Sequence, residues 1–306
     1  MSSNRTERTT DGPPPVVVGV DGSAAALHAV EWAAHEAARR HRPLLLVSCY
    51  SVPFYGEPGL FGSYAIENQV EAIKVEHEGF VHLAAKRAAE LEPYLSVRSV
   101  VVLGSPAITL AQYITPGSEL VVGSTGHSGK LADVVGSTAT AVCHHVSNPV
   151  VVVPAASSKR GRSMKKIVVG TDGSPAALDA VSWAYDEARM AHAELVVLHS
   201  WEYPYTDGTD GASDFRKKMR HDAAAQLDAD AAALATRASA DGVKVVTRLI
   251  EKLPAQALID EAADADLVVV GSRGRGGLSS MLLGSVSRAV VQHAPCPVAV
   301  IRHPNH

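Results

Sequence analysis

LVVGSTGHSGKLADVVGST at residues 120–138 and LVVVGSRGRGGLSSMLLGSVS at residues 267–287 decide how this chain reads. Each opens as an apolar strand, Leu120 to Val122 and Leu267 to Val270, and then breaks into a glycine-rich loop. Gly123, Gly126 and Gly136-Ser137 fall at the spacing Gly-x2-Gly-x9-Gly-Ser, and Gly271, Gly274 and Gly284-Ser285 repeat it residue for residue. The apolar run after each Gly-Ser reads as a helix, carried by Ala139, Val142, Cys143 and Val146 in one copy and by Val286, Ala289, Val290 and His293 in the other. A strand feeding a glycine loop and then a helix start makes an anion site. Backbone N–H groups can approach a phosphate, and the helix start adds unpaired donors and the positive dipole end.

Working outward, the same order of elements runs twice. Val16 to Val20 is a short buried strand, Asp21-Gly22-Ser23 a turn, and Ala26, Val30, Ala33 and Ala37 stripe the helix that follows. Leu44 to Cys49 is a second strand, apolar on both faces as central parallel strands are. A loop is expected over residues 50–64 and a long helix from about Ile66 to Leu91. Val97 to Leu103 is strand three, Ser105-Pro106 a helix start, Glu119 to Val122 strand four and Pro149 to Val153 strand five. Residues 155–165 read as a linker, with Lys159, Arg160, Arg162, Lys165 and Lys166 as a solvated tether. Ile167 to Ser174 then mirrors Val16 to Ser23; Trp183 matches Trp32, and Glu187 matches Glu36. The later strands are Leu195 to Ser200, Val243 to Ile250, Leu267 to Val270 and Pro297 to Ile301, with helices over residues 213–240 and 254–263. The expected units are a disordered tail over 1–15, domains over 16–154 and 166–303, and the linker between them. Strands alternating with helices give an α/β fold of two tandem doubly wound five-stranded parallel sheets. In such sheets ligands sit at the carboxyl ends of the strands, where Asp21, Gly123, Asp172 and Gly271 lie.

Composition narrows the function classes. At 306 residues, 46% hydrophobic and 20% charged, each half can bury a core. A net charge of −4 offers no basic field for nucleic acid. The three cysteines, Cys49, Cys143 and Cys296, are widely spaced with no CxxC pair and read as buried free thiols. The polar N-terminus lacks the apolar region of a signal peptide, and no apolar run reaches membrane-spanning length, so a soluble cytoplasmic protein is expected.

These residues together resemble the universal stress protein family in its tandem two-domain form. The marks are the Val-Gly-x-Asp-Gly-Ser opening, the Gly-x2-Gly-x9-Gly-Ser loop and the closing Pro-Val-x-Val at Pro149 and Pro297. The resemblance covers nearly all of Val16 to Arg302. It implies the adenine-nucleotide alpha-hydrolase-like strand order 3-2-1-4-5 and, in the glycine-loop branch, ATP binding with magnesium carried by the phosphates. It implies that Asp21 and Asp172 sit beside the nucleoside and that the main chain at Cys49 and Ser200 reads the adenine edge. Gly123, Gly126, Gly136, Ser137 and Thr138 would hold ribose and phosphates, as would Gly271, Gly274, Gly284, Ser285 and Val286 in the second copy. Pairing of the two halves through strand five, and a homodimer of whole chains, are further implications.

Blander readings stand beside these. Asp21 and Asp172 taken alone fit helix caps, but Ser174-Pro175 already supplies a cap and a first helical residue, which leaves the aspartates to face the pocket. Ser137 and Ser285 can both cap the last helix and touch phosphate. Lys130, Arg273 and Arg275 lie inside the loops as candidate phosphate contacts or as a solvated loop face. Residues 124–130 are not a Walker A motif: Ser124 stands where its first glycine belongs, and Leu131 follows Lys130 where Ser or Thr is required. Among 14 histidines, His77 and His82 are five apart and His144-His145 adjacent, so no metal-ligand spacing arises. Gly104 has Lys252 as its counterpart, which predicts unequal pocket edges. Each half offers one strand-end aspartate and no second duplicated carboxylate, so a regulatory nucleotide binder is expected. The alternatives are a slow ATPase or ATP-dependent enzyme on the same fold, and a nucleotide-free scaffold.

Overall fold

The computed structural model describes residues 12–52, 62–126, 135–159, 161, 163–203, 210–275 and 283–303. The first half runs β1 (Val16–Gly19), α1 (Ala24–Arg39), β2 (Leu44–Tyr50), α2 (Gly62–Leu91), β3 (Val97–Leu103), α3 (Pro106–Gln112), β4 (Glu119–Gly123), α4 (Ser137–His145) and β5 (Val150–Val153). The second half repeats it as β6 (Lys166–Thr171), α5 (Pro175–Ala191), β7 (Glu194–Trp201), α6 (Asp210–Asp241), β8 (Val245–Glu251), α7 (Pro254–Ala262), β9 (Leu267–Gly271), α8 (Ser285–His293) and β10 (Val298–Ile301). Both long helices start earlier than apolar periodicity predicts, at Gly62 and Asp210, because their first turns are polar and lack the stripe. The third strand of the second half starts later than expected, at Val245.

The strands form one sheet in the order β3-β2-β1-β4-β5-β10-β9-β6-β7-β8. Within each half the order is 3-2-1-4-5 and every pairing is parallel. The halves join through β5 and β10, antiparallel, with Val298 opposite Val152 and Val300 opposite Val150. Both joining strands are buried throughout. As free edges they would offer unpaired amides on an apolar ribbon, and joining them covers that edge. The outer strands β3 and β8 instead expose Arg98 and Ser99, and Thr247 and Arg248.

One face of the sheet carries Val16, Val18, Leu44, Leu46 and Val121 under α1 and α2, continuous with Ile167, Val169, Leu195 and Val197 in the second half. The other carries Val17, Leu120 and Val122 under α3 and α4, continuous with Val168 and Val268. The linker is not a solvated tether. Met164 and Ser157 are buried, Lys159 pairs with Asp266 at 2.7 Å, and Lys166 pairs with Glu261 at 3.0 Å. Gly161, at φ 80°, lies so close to the Trp32 ring that a Cβ there would sit 2.9 Å from it, and its carbonyl accepts from Arg39 at 3.1 Å. Arg160 and Arg162 lie outside the described residues. Cys143 and Cys296 are buried and free, and burial pushes both thiols up to about 12. Cys49 is free and only half-buried, which departs from the expected buried thiol. Among the described residues no helix is long and apolar enough to cross a membrane.

Candidate functional site

Beyond the carboxyl ends of the paired strands β1 and β4 in the first half, and β6 and β9 in the second, the switch point opens into a crevice. The first crevice, about 470 Å³, is lined by Asp21, Cys49, Gly123, Gly126, Gly136, Ser137 and Thr138, along with Tyr50 and His77. The second, about 500 Å³, is lined by Asp172, Ser200, Gly271, Gly274, Gly284, Ser285 and Val286, with Arg273 and Arg275. Both volumes suit a small-molecule ligand. Lys130 lies outside the described residues.

The two Asp-Gly-Ser turns are built alike. Gly22 at φ 78° and Gly173 at φ 74° occupy the left-handed region that favours glycine. Ser23 and Ser174 then cap α1 and α5, accepting from Ala26 N at 3.1 Å and Ala177 N at 3.3 Å. The serines thus do the capping, but the aspartates are not left to a ligand alone. Asp21 Oδ1 accepts from Ser23 N and Asp172 Oδ1 from Ser174 N, both at 3.0 Å. Asp172 Oδ2 also accepts from Arg275 N at 2.9 Å. That carboxylate is therefore a latch between the turn and the glycine loop. The latch explains the loop's second glycine, since a Cβ on Gly274 would lie 2.5 Å from Asp172 Oδ2 and one on Gly126 2.9 Å from Asp21 Oδ2.

The other loop glycines serve two further purposes. A Cβ on Gly123 would meet the Ala25 carbonyl carbon at 2.6 Å, and one on Gly271 that of Ala176 at 2.8 Å, so the first glycine lets the strand end pack against the helix start. Gly136 and Gly284 are the N-cap residues of α4 and α8, with ordinary backbone geometry and no side-chain cap bond. This corrects the capping expected of Ser137 and Ser285, which are already the first helical residues. The N–H groups of Gly136 and Gly284 do not face a phosphate either. They close the loop on Ser124 O at 2.7 Å and Ser272 O at 2.8 Å. Donors at the crevice include the first helical N–H groups, at Ser137, Thr138 and Ala139 and at Ser285, Val286 and Ser287, all lining residues.

The second strands supply a polar edge. Gly104 N donates to Tyr50 O at 2.8 Å, so the Tyr50 carbonyl faces β3. Alternation then turns the Cys49 peptide toward β1, whose pairing stops at Gly19 opposite Val47. Leu195 N donates to Lys244 O at 2.9 Å, which by the same alternation turns the Ser200 peptide toward β6. The Ser200 hydroxyl donates to the Lys252 carbonyl. Burial pushes the Cys49 thiol up to about 11 against a hydrogen bond with Thr109, which makes it a poor nucleophile. Gly104 and Lys252 do occupy matching corners. A Cβ on Gly104 would strike Thr109 Oγ1 at 2.6 Å, whereas Ala257 stands at the matching place in the second half and leaves room for Lys252.

The crevices differ most in the wall supplied by the long helix. Val81, Ala84 and Ala88 of α2 match Leu227, Asp230 and Leu234 of α6 at a constant offset. That register sets His77 and Phe80 against Ala223 and Gln226. A Cβ on Gly22 would meet the Phe80 ring, and one on Gly173 would meet Gln226 and the Arg275 guanidinium. The first wall is thus aromatic. The second is a polar relay in which Arg275 Nη2 donates to Gln226 at 2.6 Å, Gln226 to Asp230 at 2.7 Å, and Thr171 Oγ1 to the buried Asp230. His77, Tyr50 and Gln226 were missed in the sequence; His77 could have been found as the next residue up the α2 stripe from Val81.

A tandem pair of switch-point crevices, each flanked by loop glycines and a helix start, defines a class of duplicated doubly wound α/β proteins. The universal stress protein family model matches residues 14–154 and again 164–302, and the chain belongs to that family. A universal stress protein of Mycolicibacterium smegmatis is 35% identical over 293 residues, covering 94% of this chain and 96% of its own. One from Mycobacterium tuberculosis is 33% identical over 295 residues, covering 94% and 96%. The crystal structure of a universal stress protein from Archaeoglobus fulgidus shares the fold at a TM-score of 0.68 and 18% identity, covering 94% of this chain and 98% of that one.

Proposed function

We propose that this chain is an ATP-binding regulatory protein of the universal stress response, holding one adenine nucleotide per half. The observation that carries the reading is the duplicated crevice in which the start of α4 or α8, the glycine loop and the free edge of the second strand converge. The helix-start amides suit phosphates, and Arg273 and Arg275 add positive charge in the second crevice. Charge-assisted N–H contacts at about 1.5–3 kcal/mol each bring a nucleotide to roughly micromolar affinity after ordering costs.

Binding is favoured over turnover. Both oxygens of Asp172 already accept main-chain N–H groups, which argues against a role as general base or metal ligand. Among the described residues no group of three His, Cys, Asp or Glu side chains could hold a metal. In this reading magnesium is carried by the phosphates. Because β5 and β10 already pair inside one chain, a homodimer would have to form through another surface. The test is to denature gently purified protein and identify the released nucleotide by chromatography, which also separates ATP from ADP and AMP. Adenine nucleotide near two equivalents per chain is expected; nucleotide-free material that also fails to bind added ATP contradicts the reading.

A further inference from the structure

We infer that the outer ridge of α2 is where a second copy of this chain docks, the two helices lying antiparallel about a two-fold axis at Gly79. Val75, Gly79 and Leu83 are spaced four apart, so they share the face of α2 turned away from the buried stripe of Val81, Ala84 and Ala88. Val75 is 55% exposed and Leu83 63%, two branched apolar side chains in water on one helix. Between them, Gly79 answers to no neighbour among the described residues. Its φ is not in the left-handed region, and a Cβ there would find nothing within 4 Å. A glycine inside a helix weakens it relative to alanine. What Gly79 supplies is a flat place where another helix backbone can come close, with Val75 and Leu83 standing on either side. The ridge is not part of the duplicated fold. At the offset that matches α2 with α6, His221, Ala225 and Ala229 take the three places.

Charge decides which partner fits. Lys74 sits between Glu71 and Glu78, at 3.5 and 3.7 Å, and Arg87 between Glu31 and Glu90, at 2.8 and 3.4 Å. Glu76 and Lys86, both exposed beside the ridge, have no ion-pair partner among the described residues. They lie on opposite sides of Gly79 along the helix. In an antiparallel pair centred on Gly79, Val75 of one copy meets Leu83 of the other. Glu76 then lies about 6 Å along the axis from Lys86 of the second copy, within a lysine's reach, and each contact occurs twice. A parallel copy would instead set like charge against like. The ridge is thus complementary to itself in one direction only. Because α2 packs on β2 and β3, far from the β5–β10 join, pairing there needs no strand edge. One helix pair is a small interface, so the dimer is a weak one.

Sedimentation velocity of the full chain across a concentration series tests this. Wild type should pass from monomer to dimer with a dissociation constant on the order of tens of micromolar. Leu83→Glu should weaken the dimer by about tenfold or more while melting as wild type does, since Leu83 already stands in water in the monomer. Glu76→Lys and Lys86→Glu should each weaken it, and an equimolar mixture of the two should restore it. Only the mixed pair sets unlike charges together at both contacts. That mixture stands on its own should Leu83→Glu fail to fold. A wild type that stays monomeric throughout, a dimer indifferent to Leu83→Glu and to the charge reversals, or a mixture no tighter than either variant alone overturns the inference. Each of those results leaves the nucleotide reading untouched.

Discussion

Gly271 and Gly284 belong to one motif yet answer to different neighbours. A methyl group on Gly271 would sit 2.8 Å from the backbone at Ala176, whereas one on Gly284 would have nothing closer than 3.5 Å. Gly271→Ala should therefore cost about 1–3 kcal/mol of stability by overpacking. Gly284→Ala should stay within about 1 kcal/mol of wild type and act only on the crevice it faces. Thermal melts paired with ATP titrations check this; equal destabilisation by the two would contradict it. Asp172→Ala removes the acceptor that holds Arg275 N and Ser174 N, and should weaken nucleotide binding in the second crevice by about tenfold or more without unfolding the chain. Unchanged ATP affinity in that variant would show that the latch does not shape the site. The glycine spacing was legible in the sequence because it recurs in both halves. The separate purpose of each glycine was not, since each depends on an atom brought near from another element. The polar relay through Gln226 and Asp230 was hidden for the same reason, as it sits on a helix whose apolar stripe is interrupted there.

At the scale of elements, α1 meets α5 across the join between halves through charges that periodicity alone reads as apolar helix. Glu36 is fully buried and accepts from Arg39 and Arg40, and Arg40 also reaches Glu187 on α5. Burial alone would raise the Glu36 carboxyl, but the two guanidinium groups outweigh it and hold it below its usual range. Glu119, at the start of β4, lies 3.9 Å from Arg40 and has a buried oxygen with no partner. Burial first, and the Glu36 charge second, push its carboxyl up from 4.5 to about 8. The folded chain then holds a proton that the unfolded chain releases near pH 4.5. Stability from this group is complete below that pH and lost as pH rises toward 8. Glu119→Gln should remove the dependence, so the variant gains on wild type by an amount that grows between about pH 5 and pH 8, on the order of a few kcal/mol. Denaturant melts across that range should show the gap widening with pH; a constant gap would contradict the assignment. Sequence pattern places all three elements involved, α1, α5 and β4, and matches Glu36 to Glu187. Their sharing of Arg40 was not visible, because Ala191 occupies the Arg40 position in the second half and breaks the symmetry.

For the whole molecule, the ten strands act as one sheet because two apolar edges cover each other. A chain cut to residues 164–303 would leave β10 uncovered and should pair with itself through that edge, sedimenting as a dimer at micromolar concentration. A monomer under those conditions would mean that β10 alone is not a pairing edge. Local sequence signals say which segments are strands and, through the alternation with helices, that each half is parallel. They do not say which edges meet, and that expectation rested on family resemblance.

The most direct test of the account is calorimetric titration of ATP into nucleotide-free full-length chain. Twin crevices with different walls predict two bound nucleotides per chain at unequal affinity, the second-half site being the one weakened by Asp172→Ala. No saturable binding, or two identical sites that both ignore that substitution, would contradict it.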